Sequence, residues 1–259
     1  MLDHPKIDIF IHFDAKNKSY DPAETLKLTK YSRIFHTPRI KVSWGGYSQI
    51  KAELILLEAA ASQGHYGHYH LLSGADLPIK KSEDIIKFFE EHSENEFVGF
   101  QSRNFGYEDR IRYYYPFQEL NGRRGNRIVR VLSRISLKLQ KMLHVHRNKG
   151  INFQKGSQWF SITDKFARYV LSKREWIHKV FHDTVCADEI FLHTLLLNSD
   201  FYEKRAPSSM RFIDWNRGSP YTFRLSDLEQ IKASQAMFAR KFQPSVDAEI
   251  IERVSELYS

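Results

Sequence analysis

The stretch IDIFIHFD, residues 7–14, decides the fold class, because it is a short run of β-branched and aromatic residues that ends in a carboxylate. Such a run is typical of a buried strand that delivers its last side chain to the carboxyl edge of a sheet. Residues 47–63 then repeat apolar side chains at helical spacing, and Gly64 ends that pattern. A second strand pattern covers residues 68–72, and the turn-rich loop 73–78 follows it. The beginning of the chain therefore alternates strand and helix.

The alternation continues, and it predicts an α/β fold with a mostly parallel sheet covered by helices on both faces. Further predicted strands are residues 96–100, 156–162 and 211–215, and further predicted helices are residues 82–89, 164–172, 187–198 and 225–233. No internal repeat or low-complexity linker interrupts the chain, so we predict a single domain over residues 1–259. Open α/β sheets bind ligands beyond the carboxyl ends of their strands, which predicts a nucleotide or sugar site near Asp14 and the loop 73–78.

The composition argues against several classes of protein. The apolar fraction is 42%, as in a globular core, and no run approaches the roughly 18 uninterrupted apolar residues that cross a bilayer. The first five residues contain no apolar segment of the signal-peptide kind. Cys186 is the only cysteine, so no intrachain disulfide can form, which fits a reducing compartment. We expect a cytoplasmic location, peripheral on the inner face of the cytoplasmic membrane.

The positive charge is concentrated in one segment. The formal net charge is +8, and residues 121–150 contain nine Lys and Arg residues but no acidic one. From Arg123 to Val145 the cations alternate with apolar residues at helical spacing, which predicts a basic amphipathic helical insertion. Two interpretations stay open, a helix that lies on an anionic membrane and a helix packed on the domain. Nucleic-acid binding is a third, but no nucleic-acid-binding motif accompanies the charge.

Seven short motifs follow one another along the chain. They are IHFDAK (residues 11–16), WGGYS (44–48), HLLSGADLPIK (70–80), GSQWF (156–160), DEIF (188–191), DWNR (214–217) and FARKF (238–242). In this order they resemble the core-2/I-branching family, which includes branching β-1,6-N-acetylglucosaminyltransferases and peptide O-xylosyltransferases. The Trp-Gly-Gly and Trp-Asn-Arg motifs are closer to the xylosyltransferase branch. The resemblance covers residues 7–242, nearly the whole chain.

The resemblance implies a GT-A type, Rossmann-like glycosyltransferase domain that works by inversion and without a metal. The residues fit the last point, because most GT-A enzymes place two carboxylates in a loop where this chain has only Asp76. A lone carboxylate is a poor site for Mg²⁺ or Mn²⁺, which prefer several oxygen ligands. We therefore expect no metal and no other cofactor, with a UDP-sugar as the donor substrate.

The same resemblance implies that Glu189 is the catalytic base. An inverting transfer needs a carboxylate that takes the proton of the acceptor hydroxyl as its oxygen attacks the anomeric carbon. We expect Glu189 to lie at the start of a helix, where the helix N-terminus favours an ionised carboxylate. The alternative is that Asp188 and Glu189 only mark the beginning of a helix, as acidic residues commonly do.

Basic residues are expected to hold the diphosphate of the donor. Lys241 matches the lysine of the family motif, and Arg217 is its expected partner, with Arg224 and Arg240 as alternatives. An arginine fork fits phosphate oxygens bidentately, while a lysine supplies a compact charge.

The remaining candidate site residues rest on the resemblance or on residue type. Asp14 is expected to bind the nucleoside and Asp76 the donor, although a strand-end Asp14 can also cap a turn. Trp44 and Trp159 are candidates for stacking on acceptor sugars, although tryptophans of the core would look the same in sequence. Arg110 is a candidate for the acceptor groove.

The expected function is transfer of N-acetylglucosamine or xylose from a UDP-sugar to a glycan hydroxyl, in bacterial cell-surface polysaccharide synthesis. The family normally has a further strand and helix before the segment that begins at Ile7, and without that strand the uracil pocket would lose a wall. One alternative is therefore a non-catalytic glycan- or membrane-binding protein on a truncated transferase scaffold. Another is a metal-dependent transferase.

Overall fold

The chain forms eight strands and eleven α-helices over residues 1–101, 106–122 and 126–259, the part that the computed structural model describes. The strands are β1 (Asp8–Ile11), β2 (Arg33–His36), β3 (His68–His70), β4 (Asp76–Pro78), β5 (Phe97–Phe100), β6 (Gly156–Thr163), β7 (Arg211–Ile213) and β8 (Phe238–Arg240). The helices are α1 (Pro22–Leu26), α2 (Tyr47–Gln63), α3 (Ser82–Glu91), α4 (Asp109–Arg112), α5 (Gln118–Asn121), α6 (Arg127–Met142), α7 (Asp164–Ser172), α8 (Arg174–Phe181), α9 (Phe191–Leu197), α10 (Leu228–Ala233) and α11 (Glu249–Tyr258). Single 3-10 turns lie at Ala187–Glu189, Asp200–Lys204 and Leu225–Asp227.

The strands pair in three small sheets. β1 and β2 are parallel, with Asp8 opposite Arg33. β6 lies between β3 and β5 and is antiparallel to both. β8 lies between β4 and β7, antiparallel to the first and parallel to the second. The prediction of an α/β fold is confirmed, but the mostly parallel sheet is not present among the described residues, because three of these five pairings are antiparallel.

Three apolar clusters form the core of the described residues, and two of them pack helices against β6 and β8. The larger cluster packs α2, α7, α8 and α9 against β6, and its fully buried members include Ile50, Phe160 and Phe166. A smaller cluster packs α10 and α11 against β8 and includes Ile231 and Ile250. Helix α2 contacts both β1 and the 3-10 turn Ala187–Glu189, so the core connects the first strand to the turn that carries Glu189.

A cavity of about 490 Å³ separates the β1–β2 sheet from the β3–β6–β5 sheet. Consecutive residues of both sheets line it, residues 7–10 and residues 66–72. Since successive side chains of a strand point to opposite faces, a consecutive lining means that the cavity faces the strand edges. The Tyr66 hydroxyl donates to Asp8 Oδ2 (2.5 Å) and bridges the two sides.

The basic segment forms helix α6, which confirms the predicted amphipathic helix over Arg127–Met142. The Asn126 side chain caps it by accepting from the Ile128 amide. Arg123 and Arg124, which belong to the predicted segment, lie outside the described residues. Within the described ranges no helix combines the length and the apolar character that crossing a bilayer requires.

Candidate active site

Glu189 lies at the end of a short 3-10 turn and not at the start of an α-helix. The predicted helix over residues 187–198 is interrupted at Ile190, which has φ −128° and ψ −40°, and α9 begins only at Phe191. Cys186, with φ +50°, reverses the chain before the turn, and its amide donates to the Gly45 carbonyl (2.9 Å). The expectation of a helix N-terminus at Glu189 is therefore wrong.

Two cations, rather than a helix N-terminus, stabilise the Glu189 carboxylate. Arg110 Nη1 lies 3.0 Å and Lys155 Nζ lies 3.2 Å from Glu189 Oε2. Glu189 Oε1 makes no hydrogen bond to any described residue, and the side chain is 35% exposed. Charge-assisted bonds to one oxygen fix the orientation of the carboxylate and leave the other oxygen open to solvent. The carboxylate can therefore accept a proton from a molecule that enters from outside.

Arg110 and Lys155 are themselves positioned by backbone pairing. The Val185 amide donates to the Arg110 carbonyl (3.3 Å), which fixes α4 beside the segment that leads into the 3-10 turn. Lys155 directly precedes β6, and its carbonyl accepts from the Gln101 amide (2.9 Å). Lys155 Nζ also donates to Gln101 Oε1 (2.9 Å), so this lysine, only 13% exposed, is restrained at both ends.

Behind Glu189 lie two buried carboxylates. Asp188 Oδ2 accepts from Gln49 Nε2 (3.0 Å), and Glu53 Oε1 accepts from Gln158 Nε2 (2.7 Å). Burial, and next the charge of Glu189, raises the pKa of Asp188 to about 7. Burial also raises the pKa of Glu53 well above its ordinary value, and the nearby charge of Asp188 adds to the effect. Adjacent residues of one motif thus have different surroundings, with Asp188 in the core and Glu189 facing outward.

The Trp-Gly-Gly motif forms the loop beside the 3-10 turn. Gly45 has φ +71°, and a Cβ there would lie 3.1 Å from Cys186 Sγ. A Cβ on Gly46 would lie only 2.5 Å from Glu119 Oε1. The Glu119 carboxylate accepts from the Ser48 amide (2.7 Å) and the Ser48 hydroxyl (2.8 Å), so it caps α2 from another part of the chain. The two glycines therefore allow close packing at the site.

A second polar cluster lies where β4 meets β8. Arg240 Nη1 donates to Asp76 Oδ1 (2.8 Å) and to the Ser73 hydroxyl (2.7 Å). The Arg240 guanidinium also lies 4.1 Å from the centroid of the Trp159 ring. Asp76 is 4% exposed, so its carboxylate is occupied by these partners. Arg240 Nε and Nη2 have no hydrogen bond to a described residue, which leaves one edge of the guanidinium available.

Lys241 follows Arg240 directly and is half-buried. Among the described residues, no side-chain partner is found for its Nζ, whereas its carbonyl accepts from the Phe223 amide (2.9 Å). A half-buried ammonium without an anionic partner is a position where a bound anion would be stabilised. Arg240 and Lys241 thus place two cationic residues in succession at the end of β8.

Arg217, the expected partner of Lys241, donates a hydrogen bond within the fold from each of its three side-chain nitrogens. Its Nε donates to Asp214 Oδ2 (2.5 Å), its Nη1 to Asp227 Oδ1 (2.7 Å) and its Nη2 to Gln230 Oε1 (3.2 Å). These partners, with Asp227 first, raise the pKa of Arg217. Only the second N–H of Nη1 and of Nη2 remains for a diphosphate, and the three bonds already fix the direction of the guanidinium. The side chain of Arg224, the other alternative, is exposed and lies near Asp247.

Asp14 lies three residues after β1, beyond the strand end at which it was predicted, and it stabilises a turn there. Its Oδ1 accepts from the amides of Lys16 (2.9 Å) and Val42 (3.3 Å), and Lys16 Nζ lies 3.4 Å from its Oδ2. Burial disfavours the ionised carboxylate, but these amides and the Lys16 charge outweigh it and lower the pKa of Asp14. The side chain is still 36% exposed, so a ligand can contact it.

Strand β6 links one of the two cations of Glu189 with the cluster at β8. Lys155, which contacts Glu189, directly precedes β6, and Trp159, which contacts Arg240, lies four residues further along the chain. The pairing of β5 with β6 shifts its register over this stretch, so simple strand alternation does not fix the relative direction of the two side chains. Four residues of extended chain span roughly 13 Å at most, which keeps Lys155 and the cluster at β8 in the same region of the fold. Of the other acceptor candidates, Trp44 is 53% exposed and Arg110 binds Glu189.

Sequence reasoning missed Lys155 and the contacts of Arg240 and Gln49. Lys155 directly precedes the GSQWF motif, and Gln49 lies four residues after Gly45, so both were next to residues already singled out. Neither residue type nor spacing shows that a lysine 34 residues before Glu189 would reach it, and only the fold brings them together. Across the described ranges there is no cluster of three or more His, Cys, Asp or Glu side chains that could hold a metal ion.

Comparison with known proteins identifies the family. A family model described as Core-2/I-Branching enzyme matches residues 1–235, and the chain therefore belongs to this family of glycosyltransferases. This confirms the resemblance found in the sequence. A xylosyltransferase of Ciona intestinalis is 25% identical over 269 residues, which cover 95% of this chain and 30% of the relative. Human xylosyltransferase 1 is 26% identical over 276 residues, which cover 93% of this chain and 26% of the relative. Xylosyltransferase 2 of Rattus norvegicus is 25% identical over 276 residues, covering 96% and 30%. The chain spans less than a third of the length of these relatives.

Proposed function

We propose that this chain is an inverting, GT-A type glycosyltransferase that transfers N-acetylglucosamine or xylose from a UDP-sugar to a hydroxyl of a glycan acceptor. The observation that carries the proposal is the Glu189 carboxylate, oriented by Arg110 and Lys155 through one oxygen and open to solvent through the other. A base that must accept a proton from an incoming hydroxyl needs this combination of fixed position and free oxygen. Membership of the Core-2/I-Branching enzyme family supports it.

In the proposed reaction, Glu189 Oε1 takes the proton of the acceptor hydroxyl. The acceptor oxygen forms a bond to the anomeric carbon while the bond from that carbon to the diphosphate oxygen breaks. UDP leaves with the electron pair of the broken bond, and the configuration at the anomeric carbon is inverted. Negative charge develops on the departing diphosphate, so the site needs cations on the side of the anomeric carbon opposite the attacking hydroxyl.

Lys241 and one arginine are proposed to supply those cations without a metal. Arg240 is favoured over Arg217, because Arg240 directly precedes Lys241 and its Nε and Nη2 are bonded to no described residue, whereas each of the three side-chain nitrogens of Arg217 already donates within the fold. The Asp76 carboxylate, which occupies the loop position of a GT-A metal ligand, is already engaged by Arg240. Asp76 is then proposed to act on the donor by orienting Arg240.

The other ligand contacts are proposed from position. Asp14 is proposed to bind the nucleoside, Trp159 to face the sugar beside Arg240, and Trp44 to contact the acceptor at the exposed loop next to the 3-10 turn. The acceptor is proposed to be a cell-surface polysaccharide, synthesised at the inner face of a bacterial cytoplasmic membrane.

The test is UDP release from a panel of UDP-sugars in the presence of EDTA. Turnover of one donor is expected to fall by about 100- to 10,000-fold in Glu189→Gln, the range for loss of a general base. Glu58→Gln is the matched control, since Glu58 pairs with Arg174 on the surface of α2 and the same charge is removed there. Full turnover in Glu189→Gln would refute the assignment of the base, and loss of turnover in EDTA alone would indicate a metal-dependent transferase.

A non-catalytic glycan- or membrane-binding scaffold is the second candidate. The cavity between the edges of β1 and β3 favours it, because it interrupts the sheet that a donor-binding domain would be expected to keep continuous there. Calorimetry with UDP separates the two candidates. A folded protein that binds no UDP would support the scaffold, and measurable binding would support the transferase.

A further inference from the structure

Helix α6 has three faces, and only one of them rests on the protein. Side chains of an α-helix advance by about 100° per residue, so residues 3 or 4 apart share a face. The half-buried side chains all fall on one side, and none of the helix is buried. They are Val129, Ser133, Ser136, Leu137 and Gln140. The body-facing side of the helix is therefore mostly small or polar.

Gln140 shows how this side is attached. Its Oε1 accepts from the Tyr114 amide (2.7 Å), and its Nε2 donates to the Tyr114 carbonyl (2.9 Å). Lys141 Nζ lies 2.7 Å from Asp109 Oδ2 in α4. These contacts orient the helix on the body with its apolar stripe turned outward.

The apolar stripe is exposed along the whole helix. Its members are between 44% and 69% exposed, which is far from the burial of a packed helix face. They are Ile128, Val131, Leu132, Ile135, Leu139, Met142 and Leu143. This exposure argues against the second interpretation of the sequence, because a helix packed on the domain through its apolar face would have buried these side chains.

The third face is basic. It carries Arg127, Arg130, Arg134, Lys138 and Lys141, and the helix contains no acidic residue. Only Lys141 has an ion-pair partner among the described residues. Apolar and cationic stripes therefore lie side by side on the exposed surface of one helix, with nothing in the described fold covering either of them.

We propose that α6 is an interfacial helix that docks this protein on an anionic lipid bilayer. The apolar stripe would enter the boundary between headgroups and acyl chains, and the adjacent cations would contact anionic headgroups. A second copy of the chain fits less well, since two such helices would bring like charges together. Nucleic acid would satisfy the cations but would leave the apolar stripe in water.

The test is co-sedimentation of the full chain with vesicles, without donor or acceptor, so its outcome does not depend on transferase activity. The protein is expected to bind vesicles of phosphatidylcholine mixed equally with phosphatidylglycerol, to bind phosphatidylcholine alone far more weakly, and to dissociate as salt is raised. Absence of binding to the mixed vesicles would overturn the proposal.

Two variants separate the contributions of the stripes. Replacing Arg130, Arg134 and Lys138 by Gln is expected to weaken binding on the order of a hundredfold, at about fivefold for each charge. Ile135→Ser with Leu139→Ser is expected to abolish insertion while the cations remain. Unchanged binding in both variants would assign the contact to another surface.

The matched control removes three exposed lysines elsewhere, Lys51, Lys87 and Lys165, by change to Gln. The control has the same net charge as the triple α6 variant, so an equal loss of binding in both would show non-specific attraction and refute the proposal. The variant with Arg130→Lys, Arg134→Lys and Lys138→Arg keeps every charge and is expected to bind as the wild type does. If this charge-preserving variant failed to bind the vesicles, the charge of α6 would not explain membrane binding.

Discussion

Asp188 offers the sharpest test of the buried carboxylates behind Glu189. Asp188 is buried, and its pKa rises from an ordinary 3.8 to about 7, chiefly through burial. A raised folded-state pKa means that the folded protein holds this proton more tightly than the unfolded chain. The stabilisation is therefore complete at low pH, below the unfolded value, and is lost as the pH rises towards and through about 7.

The size of the effect follows from the shift. Each pKa unit corresponds to about 1.4 kcal/mol, and about two units of the shift remain at pH 5, so the free energy of unfolding should fall by about 3 kcal/mol between pH 5 and pH 8.5 through Asp188 alone. Asp188→Asn cannot ionise and should lack this fall. Its stability relative to the wild type should therefore improve steadily over that range.

Urea unfolding followed by far-UV circular dichroism at several pH values measures the difference. Other groups titrate in both proteins, so the free energy of unfolding is plotted against pH for each protein. The quantity to compare is the slope of that plot for the wild type minus the slope for the variant. Glu58→Gln, on the exposed surface of α2, is expected to keep the wild-type slope. Parallel pH profiles of the wild type and Asp188→Asn would refute the reasoning, because Asp188 would then not titrate between pH 5 and pH 8.5 in the folded state.

Three further predictions concern the site and its loop. Lys155→Met should lower turnover by about tenfold or more with little change in UDP affinity, because it frees the Glu189 carboxylate; unchanged turnover would contradict the role of Lys155 as a positioning residue. Arg240→Lys should weaken UDP binding by about tenfold in calorimetry, because lysine cannot replace the bidentate donor. Arg217→Lys should instead mainly lower the free energy of unfolding, by about 1–3 kcal/mol. If Arg217→Lys weakened UDP binding and Arg240→Lys did not, Arg217 would be the diphosphate ligand. Gly45→Ala should destabilise the fold by about 1–3 kcal/mol in urea unfolding, because φ +71° is strained for alanine, and a stability equal to wild type would disprove the strain.

The sequence predicted elements best where a long periodic pattern has its own boundaries. Helix α2 begins and ends at the predicted residues, because its apolar spacing is regular and Gly64 stops it. Elements without such a pattern were missed, among them the strands β2 and β8 and the helices α8 and α11. β2 and β8 have only four and three residues, and β8 lies inside the FARKF motif without a strand pattern long enough to recognise.

Strand direction was predicted less well than strand position. A strand–helix alternation favours parallel pairing, but β6 is antiparallel to both of its neighbours. Its predecessor β5 is separated from it by α4, α5 and α6, so the connection does not act as a single crossover helix. The direction of pairing depends on that long connection, which local periodicity does not describe.

The sequence by itself determined the family, the positions of several strands and helices and the amphipathic character of α6, because each depends on residue type at short spacing along the chain. Only the tertiary structure decided which cations contact Glu189, which nitrogens of Arg217 and Arg240 are already bonded, and which face of α6 is exposed. Arg110 and Glu189 are 79 positions apart, and no local pattern measures the distance between such residues. Electrostatic and hydrogen-bonding interactions act through space over a few ångströms, so the properties of the site arise from contacts that exist only after the chain has folded.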